Sequence, residues 1–129
     1  VVDDEAIWRS SLVRMLKTLD AEIVLASDGR EGLVKLIDGY FDLDLVILDL
    51  HMPHLDGLTV LDRVRRLGGD AALRVFLFSA TSREELAEIG QAGLASAVFS
   101  KLDPIERLAE RVTRELGPGC PWKDVSAAG

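Results

Sequence analysis

Short runs of Val, Ile, Leu and Phe recur along this chain at intervals that leave room for one helix between each neighbouring pair. That alternation constrains the fold more than any other feature. Apolar runs too short to be helices, separated by segments of 3.6-residue periodicity, are the mark of βα units around a parallel sheet. Five units are legible, with strand segments at 1–2, 23–26, 45–48, 74–78 and 97–99. The third and fourth are nearly unbroken hydrophobic runs, as expected of strands covered by helices on both faces. The first, Val1 and Val2, reads as the tail of a strand whose beginning precedes the sequence given, which does not start with Met.

The periodic segments between them predict helices over 6–19, with Ile7, Leu12, Leu16 and Leu19 inward, and over 30–37, 58–67, 83–92 and 105–116. Gly68 and Gly69 are placed to stop the third. Asp103 and Pro104 supply an N-cap and a first-turn proline for the last. Right-handed crossovers then give an α/β fold, a flavodoxin-like (βα)5 doubly wound parallel sheet in the strand order 2-1-3-4-5. In such sheets ligands bind at the carboxyl ends of the strands flanking the switch point, here strands 1 and 3.

The 129 residues suit one core, which we expect over 1–116. Residues 117–129, GPGCPWKDVSAAG, read as a linker or C-terminal tail in which Trp122 is expected to pack back on the domain, the alternative being that it anchors a partner. The net formal charge of −7, with no basic run, argues against a nucleic-acid surface. Cys120 is the single cysteine, so an intramolecular disulfide is impossible and a reducing, cytoplasmic setting is expected. No apolar run approaches the roughly 18 residues of a membrane span, and no membrane association is expected.

The residues that end strands 1 and 3 are Asp3, Asp4 and Asp49. Three carboxylates at one sheet edge repel and raise one another's pKa, so the arrangement calls for a cation. Hard oxygen ligands with open water positions suit Mg²⁺ or Mn²⁺. The alternative is that Asp3 and Asp4 merely cap the helix that begins near Ala6.

Residues 45–58 read LVILDLHMPHLDGL, and they contain the pattern D-x-x-M-P-x-x-D-G as Asp49, Met52, Pro53, Asp56 and Gly57. With Ser79 ending the fourth strand and Lys101 ending the fifth, the chain resembles the response regulator receiver domains of two-component signalling. The resemblance covers 1 to about 116. It implies that Asp49 takes a phosphoryl group from a sensor histidine kinase or phosphotransfer protein. Asp4 and Asp49 would then ligate Mg²⁺ directly, Asp3 through an intervening water, and His51 through its backbone carbonyl.

By the same resemblance Lys101 pairs with Asp49 at rest, and the Ser79 hydroxyl donates only once a phosphoryl group is present. That difference would reshape the face made by the fourth helix, fifth strand and fifth helix, which a downstream effector domain or protein reads. A phosphorylation-dependent homodimer is a further assembly the resemblance allows. The domain would be a phosphoacceptor that assists its own phosphorylation and dephosphorylation, not a turnover enzyme.

Two rivals stand beside this reading. A haloacid-dehalogenase-type phosphatase wants a second Asp two residues after the nucleophile, where this chain has His51. A degenerate receiver would bind protein without phosphorylation. The departures from the receiver pattern are Val98 in place of an aromatic three residues before Lys101, with Phe99 expected in the core, and Leu102 in place of the proline after Lys101. Thr81 and His51 occupy positions that in the family modulate access of water.

Overall fold

The computed structural model describes residues 1–39, 42–68, 73–93 and 95–116. Three parallel strands, β1 (Leu45–Leu48), β2 (Arg74–Ser79) and β3 (Ala97–Ser100), pair in the order β1-β2-β3. Val2 bridges to Leu48 on one side and to Ala26 on the other, both in parallel. The lateral order is therefore segment 23–26, segment 1–2, β1, β2, β3, which is the doubly wound 2-1-3-4-5 arrangement.

Segments 1–2 and 23–26 join the sheet through isolated bridges. Val2 donates to the Ile47 carbonyl at 2.8 Å and accepts from Asp49 N at 2.9 Å, while Ala26 donates to Val1 O at 2.9 Å. These bonds set segment 1–2 between segment 23–26 and β1, and Val24 and Leu25 are exposed.

Among the described residues five helices cover the sheet: α1 (Ala6–Lys17), α2 (Gly29–Gly39), α3 (Gly57–Gly68), α4 (Arg83–Gln91) and α5 (Ile105–Leu116). All lie within two residues of their predicted limits. Ile7 is the exception to the predicted core, being 70% exposed. The buried stripe of α1 runs through positions four apart, Trp8, Leu12 and Leu16, and Ile7 falls beside it. Leu19 packs against the same cluster from beyond the helix end. Gly69 and the tail with Trp122 lie outside the described residues.

The strands alternate their side chains between two cores. Val46, Leu48, Val75 and Leu77 pack with Val60, Leu61, Val64 and Leu86 on one face, while Ile47, Phe76 and Phe78 meet Leu12, Leu16, Leu108 and Val112 on the other. Each fully buried Leu or Phe contributes about 2 kcal/mol of transfer free energy. Among the described residues no helix is long and apolar enough to cross a membrane.

The start of α3 is pressed against the end of β1. Asp56 caps the helix through Oδ1, which accepts from Thr59 N at 2.8 Å, and Gly57 N donates to Leu50 O at 2.7 Å. A Cβ on Gly57 would lie 2.1 Å from the Asp49 carbonyl oxygen. Asp56 and Gly57 thus serve architecture: they hold the helix where the residue after β1 is fixed.

Candidate functional site

Asp3 follows the Val2 bridge, Asp49 follows β1, Ser79 closes β2 and Lys101 follows β3, so all four stand at the carboxyl ends of the sheet. Lys101 Nζ lies 2.8 Å from Asp3 Oδ2, 3.1 Å from Asp49 Oδ2 and 3.5 Å from Glu5 Oε1. The lysine side chain is only 3% exposed. A buried ammonium is tolerable only when its lost hydration is replaced by such partners. Burial pulls the Lys101 pKa down, but its hydrogen bond to Asp3 and the nearby negative charges outweigh this and leave it above 10.5. Burial pushes the Asp3 carboxyl above 3.8 against the opposing hydrogen bonds from Lys101 and from Glu5 N.

Asp3, Asp4, Glu5 and Asp49 each offer a carboxylate oxygen within 4.8 Å of the others. Asp3 and Asp49 are buried, whereas Asp4 and Glu5 face solvent, so the group has a buried floor and an open mouth. One ammonium leaves this group in excess negative charge. The hard oxygen donors and open side match what Mg²⁺ requires. His51 is exposed in the loop after β1, and the group that forms is made of carboxylates alone. The capping alternative is not met: the N-cap of α1 is Glu5 and no side chain caps the helix, while Asp3 Oδ1 accepts from Glu5 N at 2.9 Å and Oδ2 faces Lys101. Arg9 Nη1 also donates to the Asp3 carbonyl, at 2.7 Å.

Ser79 is fully buried beside this group. Its hydroxyl lies 3.0 Å from that of Thr81, and its carbonyl accepts from Lys101 N at 2.8 Å. The second contact ties the ends of β2 and β3 together. Val98 and Phe99 point to opposite faces: Val98 packs on the α4 side, and Phe99 lies 5.5 Å from the ring of Phe76 in the other core, as the period of two requires.

The family model for the response regulator receiver domain matches residues 1–113. The chain belongs to that family. Among curated relatives, this receiver domain is 36% identical over 121 residues to the Regulator of RpoS of Escherichia coli, covering 92% of the chain and 34% of that protein. The receiver thus spans about a third of the length of that relative. Among solved structures it matches the CheX-CheY-BeF3-Mg complex from Borrelia burgdorferi at a TM-score of 0.77 and 28% identity, covering 88% of this chain and 84% of that one. It also matches TrrA of Thermotoga maritima, solved in complex with Mg²⁺-BeF, at 0.72 and 34% identity, covering 88% and 93%.

In this receiver the residues singled out from sequence meet at one sheet edge, with the His51 side chain outside the carboxylate group. Two residues were missed. Glu5 was legible as the third acid of an Asp-Asp-Glu run but lies beyond the strand end. Trp8 carries no signal of a site in sequence, because an aromatic on a helical stripe reads as core.

Proposed function

We propose that this receiver accepts a phosphoryl group onto Asp49 from a sensor histidine kinase or phosphotransfer protein. The observation that carries the reading is Asp49 paired to a buried Lys101 at the edge of an acidic group, with Ser79 one strand away. An Asp49 carboxylate oxygen attacks phosphorus, forming an acyl phosphate as the phosphorus–nitrogen bond to the donor histidine breaks. A carboxylate approaching an anionic phosphoryl group needs neutralisation and alignment more than proton transfer. Asp4 and Asp49, with Asp3 through water and the His51 carbonyl, would hold Mg²⁺, or Mn²⁺ in its place. The metal, when bound, supplies positive charge against the phosphoryl oxygens.

Lys101 then turns from Asp49 toward a phosphoryl oxygen. The Ser79 hydroxyl leaves Thr81 and donates to another. Only contacts that differ between two states can shift their populations, and both of these do. The loop after β2 and α4 follow, altering the face of α4, β3 and α5 offered to an effector domain or protein, or to a second copy. The domain, over 1–116, acts in the cytoplasm as a phosphoacceptor, not as a turnover enzyme, and binds neither nucleic acid nor membrane.

The test is intact mass after incubation with Mg²⁺ and acetyl phosphate, beside Asp49→Ala. A phosphoryl adduct in the native chain alone supports the reading. Absence of an adduct under every metal condition would replace it with a phosphorylation-independent binding module.

A further inference from the structure

The phosphoacceptor reading makes no use of the two rings beside Lys101. Trp8, in the first turn of α1, meets Phe78 of β2 edge-on, with centroids 5.1 Å apart and planes at 87°. Lys101 Nζ lies 5.3 Å from the indole centroid and 5.8 Å from that of Phe78. The ammonium therefore has Asp3, Asp49 and Glu5 around it together with an aromatic corner.

A lysine head on a four-carbon stem is mobile, and fixing its backbone does not fix its charge. The backbone here is held by Lys101 N to Ser79 O at 2.8 Å and by Leu102 N to Ser100 Oγ at 3.0 Å. Neither bond reaches Nζ. A ring face attracts a cation within about 6 Å through its quadrupole, most strongly when the cation has lost its water. Phe78 is committed to the core, where it is almost wholly buried, whereas Trp8 is half-buried and reaches the site from the helix that follows the acidic run.

We propose that Trp8 is a positioning residue for Lys101: its indole, backed by Phe78, holds the ammonium between Asp3 and Asp49 and sets the arc through which it turns. The inference rests on Asp49 being the phosphoacceptor. It adds a residue that touches neither the phosphoryl group nor the metal and acts through the lysine.

Trp8→Phe keeps a ring, while Trp8→Leu keeps apolar bulk without a quadrupole. Both are compared with the native chain at temperatures equally far below their thermal midpoints, and Trp8→Met stands in if the leucine variant does not fold. The initial rate of phosphorylation by acetyl phosphate with Mg²⁺ should fall about tenfold in Trp8→Leu, the order of one desolvated cation–π contact, and stay within about threefold in Trp8→Phe. Independently, the Lys101 ε-methylene protons should show a ring-current shift in the NMR spectrum that Trp8→Leu reduces to the contribution of Phe78. Equal rates in native and leucine chains, an equal loss in the phenylalanine chain, or unshifted methylene protons in the native chain would each overturn the proposal. If no chain takes up phosphate, the phosphoacceptor reading fails, and the methylene shift alone decides whether the ring positions the lysine.

Discussion

Lys101 Nζ sits nearer to Asp3 Oδ2, at 2.8 Å, than to Asp49 Oδ2, at 3.1 Å. One ammonium is shared by the two strand ends that flank the switch point, so any other cation entering the acidic group competes with it. Lys101→Met removes that competitor. It should raise Mg²⁺ affinity about tenfold, the order of a single coupling between neighbouring charges, as read by thermal-shift titration. Without metal the same variant should lose about 3 kcal/mol of stability, because two buried carboxylates lose their partner. Unchanged Mg²⁺ affinity would show that the lysine and the metal do not share these oxygens.

The pH dependence has two limbs, one set by Lys101 and one by Asp3. Lys101 titrates above 10.5 in the folded chain because its carboxylate partners outweigh its burial. Its contribution is therefore fully present below 10.5 and lost as pH rises through the folded value. For Asp3, burial raises the folded pKa above 3.8, so the folded chain holds that proton more tightly than the unfolded one. Ionising Asp3 thus lowers stability as pH rises from 3.8 through the folded value. Urea midpoints should fall at alkaline pH in the native chain and less steeply in Lys101→Met, while Asp3→Asn should flatten the acid limb. Parallel profiles in all three would contradict the assignment.

Gly57→Ala should be among the most damaging small substitutions in the domain. The added methyl would meet the Asp49 carbonyl oxygen at 2.1 Å and Leu50 Cα at 2.8 Å, and backbone atoms cannot swing aside. A loss of about 3 kcal/mol is expected on urea unfolding. Gly93→Ala is the contrast: φ is +77° with open space around the site, so only the left-handed backbone is strained, by about 1 kcal/mol. Equal losses would mean that the α3 start is free to move.

Ser79→Ala should separate modification from response. The variant keeps Asp49 and Lys101, so its acetyl-phosphate labelling should remain within about tenfold of native, less than the loss of a primary charge-stabilising donor. Amide exchange over the 80–91 segment should then fail to change on phosphorylation, because the hydroxyl that exchanges Thr81 for phosphate is gone. A native-like exchange response in this variant would remove Ser79 from the switch.

The sequence revealed most where one physical cause acts alone. Residues 45–48 and 74–78 are buried on both faces, so hydrophobicity marks them as strands, and Asp49, Ser79 and Lys101 follow from where such strands end. The signature around Asp56 and Gly57 was visible as a pattern, but its reason, a helix start lying on the Asp49 carbonyl, is a contact between elements that spacing does not display. Segment 23–26 lies beside Val2, where the strand order puts it, and joins it through a single bridge at Ala26. Ile7 and Trp8 show the limit of periodicity: adjacent apolar residues differ by about 100° around a helix, and only packing decided which one faced the sheet. Glu5 escaped because its role depends on how far Lys101 reaches.

The indole of Trp8, set edge-on to Phe78 and 5.3 Å from a charge, gives the domain its own light source at the acidic edge. Its emission depends on that charge, so displacement of Lys101 becomes visible as a change in intensity without any attached dye. Once Trp122 is replaced by Phe, Trp8 is the single indole of this chain, and the tryptophan emission of these 129 residues comes from the place where occupancy would be read.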